Sequence, residues 1–391
     1  MTGADPHILI PERLRENGTW KIYPMEHTGH RVSGGILLYR LYDVSWDIDL
    51  AAVEERVRDY KRQSIDRKRF SKAFEFINPP LSLTLKTFEK DLHGKLFTTN
   101  VYGKAYDYGV LSIIFEIPFS GIEISEFQLL AKNPEELFKE DFQNEVNRLV
   151  DDLGDALHQV GPIRFEEDYT VYYVRQLHSG GTSKDLLGVC DIGSLLLYEE
   201  GESPPSPSTK AELLSANSFS YSDNDLVVLS WDKALVFEPG GSMDIPDLLE
   251  FANAQLLELR VYDDMLDREL DIINTRLIKQ ASPSIWKIKR YEELATKVML
   301  TVTDFTHITE KIDNSLKVTE DVYYARVYAA ALSLFRVQQW AESIEGKINI
   351  ASRSYDMLYR MISNKRTELL EFVIILLIAL EIVLILILKL L

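Results

Sequence analysis

Residues 372–388 read FVIILLIALEIVLILIL, an apolar run interrupted by one ionisable group, Glu381. At about 1.5 Å of rise per residue this run is ~26 Å long as a helix, and the wider stretch 369–391 is ~34 Å. Those lengths bracket the hydrocarbon core of a bilayer. A helix in a soluble core keeps a polar face over such a distance, and this one has none. The sequence therefore predicts a transmembrane anchor at 369–391. Arg353, Arg360, Lys365 and Arg366 precede it and Lys389 follows. By the positive-inside rule the basic side, with residues 1–366, is expected in the cytoplasm, or on the matrix side in a mitochondrion. The opening MTGADPHILI has no basic stretch leading into an apolar one, so no signal peptide is expected. The expectation is a tail-anchored, single-pass membrane protein.

The rest of the 391 residues is acidic but unevenly so. The formal charge is −18; residues 1–250 hold 25 basic and 42 acidic side chains, whereas residues 251–368 hold 17 of each. An acidic first half repels phosphate, which argues against a general nucleic-acid binder there. A hydrophobic content of 46% supplies a packed core, and the length allows two or three domains. Cys190 is the sole cysteine, so no internal disulfide exists, as in a reducing compartment. Its neighbours Val189, Ile192 and Leu195 predict a buried thiol.

Hydrophobic periodicity divides the chain. Residues 1–200 read as an α+β head, with strands at 35–46, 81–88, 95–101, 110–117 and 169–177. Helices are predicted from Asp49 to about residue 71, and from Asn133–Pro134 through Leu153. The order β-α-β-β-α-β suggests a ferredoxin-like split βαβ sandwich. Residues 201–217, opening GESPPSPST, read as a Pro/Ser-rich connector, and 218–243 as a β-hairpin region turning at 231–233. From 244 to 368 the apolar residues recur in 3-4 alternation. Leu249, Ala252, Leu256 and Leu259 begin one series, Ile288, Tyr291, Ala295 and Val298 a second, and Val327, Ala330, Leu334 and Val337 a third. Such spacing predicts an antiparallel three-helix coiled-coil stalk. Its last helix, if continuous from Val322 to Leu391, would be ~105 Å long.

Chemistry is hard to find. There is no Walker loop and no GxGxxG after a strand. His27 and His30 have no nearby cysteine to complete a metal site, and the seven histidines are too scattered to form a recognisable triad. No catalytic residue, metal, cofactor or small-molecule substrate is therefore expected. The helix after Asp49 carries the one basic stretch of the acidic half, centred on Arg62, Arg67, Lys68 and Arg69. It reads either as a solvated helix face or as a contact for RNA or anionic lipid. Glu381 is costly in hydrocarbon unless protonated or paired. It can bond a second anchor in an oligomer, join a proton or ion path, or ride in a tolerated span.

The tripeptide Leu370-Glu371-Phe372, with Glu381 further on, resembles the end of the RMD/YagE family, the required-for-meiotic-nuclear-division proteins. The segments DLVVLSWDKALVFEP and LLEFANAQLLELR look like that family's central region, with Phe372 standing where Trp is usual. The resemblance implies a membrane-anchored, self-associating tether. The resulting expectation is a non-enzymatic scaffold that homo-oligomerises through stalk and anchor and presents its head to a protein or RNA partner. The alternative is a transport or channel component using Glu381 in a proton or ion path.

Overall fold

The computed structural model describes residues 29–57, 74–76, 78–198, 203–279, 289, 292–300, 302–303, 306, 316–318 and 321–390. The chain divides into two compact units, Met1–Glu258 with Asn314–Gln338, and Leu259–Asp313 with Gln339–Leu391.

In the first unit, the run of aliphatic and aromatic residues in β1 (Arg31–Asp43) has no polar face because both of its faces are covered. β1 lies inside an eight-stranded sheet whose other members are β4 (Leu81–Leu92), β5 (Lys95–Ala105), β6 (Val110–Glu123), β8 (Glu166–Leu177), β9 (Ser218–Phe219), β10 (Leu226–Leu229) and β11 (Lys233–Phe237). The order is β4-β5-β6-β1-β8-β11-β10-β9. Every neighbouring pair is antiparallel except β8 and β11, which run parallel with Lys233 opposite Thr170. Two small antiparallel pairs stand apart, β2 (Asp47–Ile48) with β7 (Leu157–His158), and β3 (Phe74–Phe76) with β12 (Leu316–Val318).

Helices α1 (Leu50–Val57), α2 (Ile124–Leu130), α3 (Pro134–Leu137), α4 (Lys139–Leu153), α5 (Ser183–Val189), α6 (Ile192–Leu197) and α7 (Pro207–Ala216) follow in chain order. Val53, Phe127, Phe142, Leu186, Ile192 and Leu213 from six of them share one apolar core with Ile36, Phe115 and Tyr172 of the sheet. Phe142 stacks on Phe115 with ring centroids 4.1 Å apart. The opposite face meets α8 (Asp244–Lys279) through Phe251, which packs on Tyr106. It also meets the end of α9 (Val322–Leu334), where Phe335 packs on Tyr169.

Three expectations change here. The hairpin of 218–243 is no separate region: its strands extend the main sheet, because the apolar β11 pairs with β8. The connector contains α7, with Ser206 capping it and Pro207 in its first turn. The third predicted helix is not continuous from Val322. α9 ends at Leu334 with Phe335 as its C-cap, and Arg336 turns left-handed at φ 57° before α10 (Val337–Leu390) begins. The reason is packing: Val327 and Ala331 of α9 are buried in the first unit.

In the second unit, Leu270 of α8, Leu294, Ala295 and Val298 of helical residues 292–300, and Ala351, Leu358 and Ile362 of α10 form one apolar cluster. Lys347 ties α10 to Asp263 and Asp267 of α8 at 2.8 and 2.7 Å. Ile288, Phe305 and Ile312 of the predicted second heptad series lie outside the described residues. Further along, α10 has an 18-residue window of mean hydropathy 3.1, none of it buried. It is the one helix among the described residues long and apolar enough to cross a membrane. The observed architecture is thus a sheet-rich N-terminal part and a long C-terminal apolar helix.

Candidate functional site

Of the residues singled out by sequence, Arg62, Arg67, Lys68 and Arg69 lie outside the described residues. Leu370, Glu371, Phe372 and Glu381 are all exposed on α10. Just before them, Arg360 is exposed, Lys365 pairs with Glu368, and Arg366 reaches Glu292 of the facing helical segment. Cys190 is buried as expected, and that burial pushes its thiol up to about 12, which keeps it protonated and unreactive. His27 lies outside the described residues, and no cluster of three metal-ligating side chains occurs among them.

Two polar assemblies were not legible in the sequence. The first lies between the sheet and α8. Lys104 on β5 places its ammonium 2.7 Å from Asp247 Oδ1 and 2.5 Å from Glu250 Oε2. Glu250 is fully buried. Burial pushes the Glu250 carboxyl up while Lys104 pulls it down, and burial prevails. Burial alone would lower the Lys104 ammonium, but the two carboxylates reverse this and hold it above its ordinary range. The phenols of Tyr39, Tyr106 and Tyr108 are buried around this trio and shifted well up, by burial first and Glu250 or Glu258 next.

The second assembly is at the far end of β1. Opposite Ser33 the register slips on both sides, since Val32 faces Ile122 but Gly34 faces Phe119, and Ser33 faces Gln176 but Gly34 faces Val174. Both neighbouring strands therefore bulge around one serine. Ser33 Oγ accepts the Gly121 N–H at 2.9 Å and lies 2.7 Å from His178 Nε2. His178 is itself fixed by its backbone N–H, which donates to the Arg31 carbonyl at 2.8 Å. Beside it His30 Nδ1 is 3.3 Å from Ser179 Oγ. No local pattern marks this pair, because Ser33 and His178 are 145 residues apart.

Half-buried Asp43, at the other end of β1, supplies a pH test of the sheet. Burial raises its carboxyl to about 6. The folded state binds this proton more tightly than the unfolded chain, so the stability it contributes is complete below about pH 4 and is lost as pH rises through 6. Asp43→Asn should therefore stabilise the protein at pH 7 by about 1–3 kcal/mol. The advantage should vanish below about pH 4, which melting curves at the two pH values will show.

Residues 33–244 match the family described as "Uncharacterized protein MJ0711, N-terminal domain". The matched segment runs from the bulged part of β1 to the first residue of α8. Uncharacterized protein MJ0711 of Methanocaldococcus jannaschii is 28% identical over 241 residues, covering 60% of this chain and 71% of that protein. No solved structure matches. These findings overturn the resemblance to the RMD/YagE family, to which nothing in them points. That resemblance rested on the Leu370-Glu371-Phe372 tail with Glu381, the heptads before it, and the segments DLVVLSWDKALVFEP and LLEFANAQLLELR. Heptads and apolar tails are patterns that amphipathic and membrane helices share whatever their ancestry. The family match covers residues 33–244, the hairpin strands included.

Proposed function

The chain belongs to the MJ0711 N-terminal domain family, and from that premise we propose that it is a single-pass membrane-anchored scaffold. In this reading α10 crosses the bilayer, residues before it stay on the cytoplasmic side, and copies associate through the anchor and the helices before it. The first unit is then the head that meets a protein or RNA partner. We read β5-β6-β1-β8 with α1 and α4 as a ferredoxin-like split βαβ core, because parallel β1 and β5 flank β6 and parallel β6 and β8 flank β1. The three packed segments of the second unit serve as its three-helix stalk.

The observation that carries the reading is the unburied apolar stretch of α10 with a carboxylate inside it. Glu381 falls about 120° around the helix from the stripe of Ala351, Leu358 and Ile362 that packs within the second unit. Extending that stripe into the bilayer would leave Glu381 facing lipid, at a cost of a few kcal/mol. A second anchor offering a hydrogen bond removes the cost.

The test is the mass of the detergent-solubilised full-length protein and its recovery in the membrane fraction. Deleting 369–391 should release the protein into the soluble fraction. Glu381→Leu should reduce a discrete homo-oligomer to monomers, and Glu381→Gln, which keeps a hydrogen bond, should preserve it. A protein that stays soluble at full length overturns the membrane reading. An oligomer indifferent to Glu381→Leu overturns the role of the carboxylate.

A further inference from the structure

We propose that Ser33 is a nucleophile activated by His178, and that the pair takes the acyl group of an uncharged ester. The inference goes beyond the scaffold reading and does not depend on it.

The close approach of hydroxyl and imidazole carries the argument. Ser33 Oγ accepts the Gly121 N–H, an obligate donor, at 2.9 Å and lies 2.7 Å from His178 Nε2. In the tautomer with its hydrogen on Nδ1, Nε2 accepts the Ser33 proton. That is the arrangement of a hydroxyl held against its general base. The Gly121 N–H also bears on the oxygen that gains negative charge when the proton leaves.

The surrounding backbone is shaped for this contact. Bulges on both flanking strands re-aim local side chains, and bulges concentrate beside reactive sites. Gly121, at φ 61°, bends β6 so that its N–H meets Ser33. A Cβ on Gly121 would lie 3.9 Å from His178 Nε2, so the glycine leaves the imidazole open on that side. His178 is exposed and Ser33 half-buried, so a reactant in solution reaches both.

The groups touching Ser33 Oγ also select the electrophile. They are the His178 imidazole and a backbone N–H, with no lysine or arginine in hydrogen-bond contact with it among the described residues. A phosphoryl anion would require cationic groups there, whereas a neutral carbonyl does not. In the first step the Ser33 Oγ–C bond forms, the ester C–O bond breaks, and the Oγ proton passes through His178 Nε2 to the leaving oxygen. In the second step His178 takes a proton from water, the hydroxide oxygen bonds to the carbonyl carbon, the Ser33 Oγ–C bond breaks, and His178 returns the proton to Oγ as the acid departs.

The experiment treats full-length protein in detergent with p-nitrophenyl acetate and follows p-nitrophenolate release, with the acetylated residue located by peptide mass. Acetylation is expected at Ser33 and lost in Ser33→Ala. His178→Gln, an exposed change that keeps the strand pairing, should slow it about a hundredfold. Acetylation of Ser33 no faster than that of other exposed serines, or unchanged in His178→Gln, overturns the proposal. Membrane recovery of both variants should match the parent, so failure here is distinguishable from failure of the anchor reading.

Discussion

Lys104→Met should destabilise the first unit by about 3–5 kcal/mol, the largest effect expected from one side chain of the sheet. Lys104 is the cation shared by Asp247 and Glu250. Without it Glu250, which has no exposure to water, keeps a carboxylate with no counter-charge or takes up a proton. Asp247 retains one-fifth of its side-chain exposure and can turn to solvent, so most of the loss falls on Glu250. The damage should shrink as the pH is lowered, because a protonated Glu250 no longer needs the ammonium. A second change tests the cause. Lys104→Met with Glu250→Leu replaces the ion pair by apolar volume, which at other buried pairs is close to neutral, and should recover most of the loss. Urea denaturation of the parent, the single variant and the double variant checks this. A double variant no better than the single would mean that the Lys104 stem, rather than its charge, supports the packing.

The trio also marks what a linear reading can reach. β1, β6, β8 and α4 were legible because each is a run of apolar residues with one period and clear turn signals. The long apolar helix at the C-terminal end was legible for the same reason. Membership of β10 and β11 in the main sheet was not, since it depends on parallel pairing of β11 with β8 from 63 residues away, which leaves no local mark. The break at Arg336 was hidden by heptad spacing that runs through it unchanged, and it appears only because α9 packs on the sheet. Lys104 in sequence is one more charge on a strand; Asp247 and Glu250 look like the polar face of a helix. The pairing of Ser33 with His178 is a matter of register, set by two bulges that composition does not announce.

Register is also where one methyl group should do most harm. β1 carries adjacent glycines, and their surroundings differ. A Cβ on Gly34 would sit 2.0 Å from the Tyr173 carbonyl oxygen and 3.0 Å from its carbon, both backbone atoms of β8. A Cβ on Gly35 would find nothing nearer than 3.6 Å. Gly34→Ala therefore cannot be absorbed by a side-chain rotation, and β1 and β8, neighbours in the middle of the strand order, must separate there. The expected loss is on the order of 3–5 kcal/mol, against roughly 1 kcal/mol or less for Gly35→Ala. Because Gly34 directly follows the bulged position, partial separation should also draw Ser33 away from His178. In Gly34→Ala the melting temperature should fall sharply, and hydrogen exchange should quicken first at the amides of residues 172–176. Gly35→Ala should keep parental exchange along the same strand. Equal behaviour of the two variants would mean that the close approach of β1 to β8 at Gly34 does not hold the sheet in register.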